Sequence, residues 1–227
     1  MKTSLMLFVL FLSVHSQAQQ SKGQFTTATE SDPKAKAILD KMRKQYQGYQ
    51  SLEADFSLEI QLPEQKKEVQ QGKIARLGKK YRVDMDAQSM LSDGTALWLI
   101  LHRNKEVQIN NVPDARTDES ILSPEALFNF YDRGKFVYFL VNEATINGKV
   151  VQDIEFKPLD KHAEFSKLRM SLDKATLNVI SVTSFGKDGS RYTMKVSSLS
   201  PNKTFAANYF SFDKSKYPGY RVEDLRD

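Results

Sequence analysis

The sequence predicts an α+β chain that is mainly β. A single strongly curved antiparallel sheet of about ten or eleven strands forms an unclosed barrel, with an N-terminal helix and a helical lid insertion over an apolar cavity. Three observations predict it. One early stretch has helical spacing, and most of the chain beyond it alternates with period two. Turn signals such as Asp93-Gly94 and Asn147-Gly148 recur between apolar runs, so neighbouring strands pair as hairpins. Leu97-Trp98-Leu99-Ile100-Leu101 is apolar at every position. A strand with one wet face alternates, so both faces of this one are covered, by the protein's own helices or by a greasy ligand.

Residues 1–18 stand apart from the fold. Lys2 supplies a charged start, Leu5 to Leu12 a short apolar core, and Ser16-Gln17-Ala18 a small-residue cleavage site. That is the pattern of a secretory signal peptide. The run is too short to span a bilayer, and no later segment approaches such a length. A buried N-terminal helix is the alternative, but Gln19-Gln20-Ser21-Lys22-Gly23 turns polar at once. Residues 19–31 read as a flexible lead-in and 32–227 as a single domain of a soluble, exported protein. The net charge of +5 is modest and its charges are interspersed, the pattern of an ordinary solvated surface.

Asp32-Pro33 opens the helix, with Asp as cap and Pro at its first position. Ala35, Ile38, Leu39, Met42, Tyr46 and Tyr49 define its apolar face, and Gly48 marks its end. From Leu52 to Leu62 the period is two, one face apolar and the other charged, until Pro63. Strands continue over 69–77, 80–86, 95–101 and 106–110, joined by short turns into a meander. The pattern breaks at 112–120, and Ser123-Pro124-Glu125 starts a short helix with Leu122, Leu127, Phe128 and Tyr131 as its apolar stripe. This insertion reads equally as a connector plugging the sheet's end or as a mobile lid. Strands resume over 136–141, 150–156, 165–172, 177–185 and 192–198. Phe210 and Phe212 suggest a last short strand before a polar end.

The chain contains no cysteine, which excludes disulfides, thiol nucleophiles, thiolate metal sites and lipid attachment to an N-terminal cysteine. Beyond residue 18 the histidines are His102 and His162, each in a polar turn-like setting and read as a surface residue. No metal, phosphate-loop or dinucleotide motif occurs, so neither metal nor cofactor is expected. Gly186-Lys187-Asp188-Gly189-Ser190 is not a nucleophile elbow, because its serine comes after the second glycine. What remains is hydrophobic chemistry. An acyl chain of sixteen carbons costs roughly 10 kcal/mol in water, and a cavity inside a curved sheet shields it.

The order of these parts resembles the LolA-type periplasmic carriers of outer-membrane lipoproteins, over about Lys34 to Val222. Ser92-Asp93-Gly94-Thr95-Ala96-Leu97-Trp98 fits the family's Ser-Asp-Gly-x-x-Leu-Trp pattern. Ala37 to Met42 and Ser51 to Phe56 resemble its first helix and strand, and Gly72 to Arg76 with Tyr81 to Asp84 its next hairpin. Lys157-Pro158-Leu159 and Ser171-Leu172-Asp173 fit later turns and strands. The resemblance implies an apolar cavity for lipoprotein acyl chains, cargo taken from an inner-membrane ABC transporter, delivery to the outer membrane and any receptor there, and no enzymatic activity. It also implies a latch between a strand-two arginine, here Arg76, and the lid. A one-residue-longer turn at Leu77-Gly78-Lys79-Lys80 departs from the pattern.

The candidate cavity lining is Phe56, Leu58, Ile60, Tyr81, Val83, Met85, Trp98 and Ile100; the lid is Leu122, Leu127, Phe128 and Tyr131. A monomer in the periplasm that binds lipid and no nucleic acid is the expected form. A lipid- or protein-binding sensor of the same fold is the alternative, and a secreted hydrolase a third reading.

Overall fold

The computed structural model describes residues 27–112 and 130–226. The helix α1 (Pro33–Gly48) begins and ends where its signals place it. The Asp32 carboxylate accepts the Lys34 amide at 2.8 Å, satisfying one of the helix's unpaired first donors. Ala35, Leu39, Met42 and Tyr46, three or four residues apart, form one buried stripe.

Twelve strands occur among the described residues: β1 (Ser51–Gln61), β2 (Glu68–Leu77), β3 (Lys80–Met85), β4 (Gln88–Ser92), β5 (Ala96–Leu101), β6 (Glu106–Asn111), β7 (Phe136–Ile146), β8 (Lys149–Pro158), β9 (Phe165–Asp173), β10 (Val179–Gly186), β11 (Arg191–Pro201) and β12 (Arg221–Asp224). They make one sheet in the order β12-β6-β5-β4-β3-β2-β1-β11-β10-β9-β8-β7. The central strand, β1, is flanked by the meander β2–β6 on one side and β7–β11 on the other. Phe56 faces Gly72 across one seam and Val196 across the other. The sheet does not close, and its edges are β12 and β7. Open sheets this wide curl.

Two expectations are corrected here. The sheet has more strands than expected, and one pair, β12 with β6, is parallel. Two strands are unexpected: β4, in the stretch between the expected strands 80–86 and 95–101, and the polar end Arg221–Asp224, too short and charged to carry an alternating pattern. Phe210 and Phe212 are not in a strand but in the turn-rich stretch before it. The Asn147-Gly148 turn is as expected: both residues have positive φ, 50° and 76°, as a two-residue hairpin with native twist requires.

The helix crosses one half of the sheet. At its start, the Asp32 amide donates to the Tyr138 carbonyl at 2.9 Å, and Ser31 and Asp32 side chains accept the amides of Tyr138 and Leu140. Part of the exposed edge of β7 is thereby paired. At its end the helix is met by Arg76 from β2. Its sixteen residues span about 24 Å, close to the roughly 29 Å of the six strand spacings from β7 to β2. Beneath it lie Tyr138, Ile154, Phe156, Leu168, Met170, Leu172 and Val182, the main core.

The opposite, outer face of the sheet has its own cover. Phe210 is buried with Ala75 and Leu91, and Phe205, Tyr209, Phe212 and Trp98 pack around them. Phe212 stacks on Trp98 with ring centroids 5.7 Å apart, and Tyr217 stacks on Phe212 at 5.6 Å. Arg82 lies over the Tyr209 ring at 5.6 Å. The continuous apolar run of β5 does have a covered outer face, and the cover is the chain's own C-terminal segment.

Candidate functional site

Strand register decides which side chains share a face, because residues directly opposite in a ladder point the same way. On β1, Leu52, Ala54, Phe56, Leu58 and Ile60 point to the helix side, since Leu52 belongs to the core beneath α1. Their β2 partners are Arg76, Ile74, Gly72, Gln70 and Glu68. Through Arg76, Ile74 and Gly72 the same face continues to Tyr81, Val83 and Met85 on β3. It passes on to Met90 on β4 and then Leu99 and Leu97 on β5.

The helix side of β1–β5 is therefore an apolar wall. Phe56 and Val83 are buried, while Leu58, Ile60, Ile74, Tyr81, Met85, Met90, Leu97 and Leu99 keep partial exposure. Polar side chains bound it, Gln70 and Glu68 at one end of β2 and Gln108 and Asn110 along β6. Gly72 is there for space. A Cβ on it would lie 2.3 Å from the Phe56 ring, so the ring lies flat over the strand only because Gly72 has no side chain.

Of the expected lining residues, Phe56, Leu58, Ile60, Tyr81, Val83 and Met85 share this wall. Trp98 and Ile100 do not. Register pairs them with Leu91 and Ser89 on the outer face, where Trp98 lies against Phe212 and Ile100 is buried. In a run apolar at every position the sequence holds no phase, so it cannot tell the two faces apart. Ile74, Met90, Leu97 and Leu99 take their place on the wall. Their signal lay in the pairing of β2, β4 and β5, which the sequence does not reveal.

Of the expected lid, Leu122, Leu127 and Phe128 lie outside the described residues. Tyr131 sits in a 3-10 turn, Phe130–Arg133, and is buried in the core beneath α1. Its hydroxyl donates to Asp40 at 3.1 Å, its ring meets Tyr138 edge-on at 5.8 Å, and Arg43 lies over it at 5.4 Å. Arg43 also bonds Asp132 at 2.5 Å. Burial pushes the Tyr131 phenol above its ordinary range, so it stays a neutral donor. The end of the insertion is thus tied to the outer flank of α1.

Arg76 donates to the carbonyls of Tyr46 at 3.1 Å and Tyr49 at 2.8 Å. These belong to the last turn of α1 and the residue just beyond it, where helix carbonyls lack internal partners and carry partial negative charge. Tyr46 also accepts the Val179 amide through its hydroxyl, and burial pushes its phenol up to about 12. The expected counterpart of Arg76 was the 118–131 insertion, most of which lies outside the described residues. The bonds seen here hold the end of α1 over the wall.

His102 is not the isolated surface residue expected. Its Nε2 is 3.0 Å from the Ser89 hydroxyl and its Nδ1 3.4 Å from the Tyr220 hydroxyl. The pair has the distance of a nucleophile and its base, but the third group is a phenol, and Ser89 is 5% exposed. A hydroxyl so enclosed does not meet a substrate. His162 is exposed in a turn. Among the described residues no group of His, Asp and Glu is placed to hold a metal, and no helix is long and apolar enough to cross a membrane.

The fold is shared with a known structure, and two others give lower scores. An uncharacterised conserved protein from Thermus thermophilus superposes with a TM-score of 0.55 at 11% identity, over 84% of this chain and 99% of that one. A LolA superfamily protein from Nitrosomonas europaea gives 0.41 at 12% identity, over 79% and 98%. MucB in the MucA/MucB complex of Pseudomonas aeruginosa gives 0.42 at 14% identity, over 79% and 61%. No curated protein matches by sequence. The model of one family, the outer membrane lipoprotein carrier protein LolA, matches residues 47–213. That span runs from the end of α1 to the aromatic cover of the outer face, and it shows that the chain belongs to the LolA family.

Proposed function

We propose that this protein is an exported carrier that shields the acyl chains of lipoproteins against the helix-side wall of β1–β5. On this reading residues 1–18 direct export and are removed. Cargo arrives from an inner-membrane ABC transporter and leaves at the outer membrane, with no bond made or broken. The observation that carries the reading is the wall itself: Leu58, Ile60, Ile74, Met85, Leu97 and Leu99 are apolar, adjacent and only partly covered. Each methylene shielded there is worth about 0.8 kcal/mol, so a chain laid along it gains several kcal/mol. The family's description as lipoprotein carriers supports the same use. Arg76 gives the site its moving part. It holds α1 by its exposed end, with bonds strong enough to set a resting position and weak enough to exchange.

An apolar fluorophore titrated into delipidated protein tests this. Saturable brightening, reversed by a long-chain acyl lipid and weakened by Leu58→Asp or Leu99→Asp, is the expected result. A folded protein with no saturable, displaceable binding would make the wall a packing surface and overturn the carrier reading.

A further inference from the structure

The outer face of the second meander carries a charge arrangement that shielding an acyl chain does not use. Phe185 on β10 lies between Lys167 on β9 and Arg191 on β11, directly opposite both. The Lys167 ammonium is 4.9 Å from the ring centroid, the Arg191 guanidinium 5.0 Å and the Arg169 guanidinium 5.6 Å. Three cations around one benzyl ring repel each other. The ring's negative face offsets part of that repulsion, and Glu155 on β8 offsets more. Its carboxylate accepts Lys167 at 2.7 Å and Arg169 at 2.5 Å. Burial pushes the Glu155 carboxyl up, but those two donors outweigh it and hold it below its ordinary value. One carboxylate against three cations leaves an excess. Arg191 is exposed and has no carboxylate partner among the described residues.

The surroundings do not cancel the excess. The adjacent outward positions Thr183 and Thr193 are uncharged. Asp153, the next acid on β8, is bonded by the neutral Ser171 and Asn142, so its charge offsets part of the excess, and three cations against two carboxylates still leave Arg191 unmatched. Lys195 is matched by Glu59. The groups stand on continuous hydrogen-bonded strands, which present a face and not a cleft. A guanidinium laid flat on a ring still points its in-plane donors outward, in the fork that fits phosphate oxygens. An aromatic ring flanked by cations is also the side-chain pairing found at the headgroup level of bilayers. Charge complementarity, planarity and the central ring favour a sheet of phosphates over an acidic peptide.

We propose that the outer face of β9–β11, centred on Phe185, docks this protein on anionic, phosphate-bearing bilayer surfaces. This goes beyond the carrier reading and uses the opposite side of the sheet. Docking there would leave the helix-side wall free to load.

The test is co-sedimentation of the purified protein with vesicles of phosphatidylcholine alone or mixed with phosphatidylglycerol, at low and high salt. Binding should require phosphatidylglycerol and vanish at high salt. Lys167→Gln and Arg191→Gln should each lower the partition about five-fold and the pair about twenty-five-fold. Glu155→Gln should raise it by a similar factor, a direction that misfolding does not mimic. Fluorophore binding to the wall should be unchanged in Lys167→Gln/Arg191→Gln, so failure of docking and failure of the carrier reading remain distinct. Equal binding to neutral vesicles, a double variant that binds like the original protein, or no vesicle binding at all would overturn the proposal. Capture of a polyglutamate peptide by the same residues without vesicle binding would reassign the face to an acidic protein.

Discussion

Replacing Arg76 by leucine removes two donors from the end of α1 and nothing from its buried stripe. A hydrogen bond from a charged group contributes about 1.5–3 kcal/mol. Both bonds, to the Tyr46 and Tyr49 carbonyls, come from one guanidinium nitrogen, so the two losses do not add in full. The net cost is then about 2–3 kcal/mol, with the lost end-of-helix charge included. For a chain of this size that lowers Tm by about 4–12 °C. Arg76→Lys keeps the charge on a shorter arm without the planar fork, and should recover about half of the loss. Thermal melting reads the magnitude, and hydrogen exchange reads the place. Protection should fall over Gln45 to Gly48 and stay unchanged in the first turn, which Asp32 holds. If Arg76→Leu melts within about 1 °C of the original protein with unaltered exchange at Gln45–Gly48, Arg76 does not hold the helix. The account of α1 as a bar released at one end then falls with it.

Four further outcomes are expected. Asp32→Ala should cost about 1–2 kcal/mol in urea unfolding, because it removes the cap of α1 and an acceptor for the edge amide of Leu140; an unchanged midpoint would mean water replaces both. Gly72→Val should cost about 1–3 kcal/mol by driving a side chain into the Phe56 ring, and should weaken fluorophore binding at the wall; retained affinity and stability would show that Phe56 moves freely. Trp98, the one tryptophan, lies on the outer face against Phe212, so its emission should not follow lipid loading, whereas Phe212→Ala should shift it to the red; an emission change that tracks lipid stoichiometrically would place the lipid on the wrong side of the sheet. Glu155, held below its ordinary pKa in the folded protein, stabilises the fold above its unfolded value, and that contribution is lost as pH falls through the folded one. Acid unfolding should therefore steepen below about pH 4, and Glu155→Gln should flatten that limb.

The parts of the fold legible in the sequence are those whose physics is local. Asp32-Pro33 and Gly48 bracket α1 because capping and chain termination act within a turn. The alternation of Leu52 to Ile60 places one face of β1 correctly because a strand with one charged face has only one phase. Where phase is absent, reading stops. The apolar run of β5 announces two covered faces but does not assign Trp98 to either, and Phe210 and Phe212 look like a short strand when they belong to the outer cover. The order of the sheet, with β1 between two meanders, depends on pairings between residues far apart in the chain, for which no local signal exists. Arg76 could be singled out by resemblance, yet its partners on α1 emerge only when β2 is set beside the helix's end.

That order has a consequence for when the protein can finish folding. Leu52 faces Pro201, and Ile60 faces Tyr192, across the seam between β1 and β11. Contacts so remote in sequence form late and slowly, since a long loop must close before they return anything. Until β11 has been made, β1 is the raw border of a half-built sheet, with open amides and carbonyls along its length. The same delay applies to the first meander's outer surface, whose aromatic cover is drawn from Phe205 to Tyr220. A chain interrupted before Arg191 would thus carry β1–β6 with two unsealed borders, β1 awaiting β11 and β6 awaiting β12, and one bare greasy flank. Synthesis from the N-terminus makes this an obligatory passage, and a holding chaperone would find its substrate there.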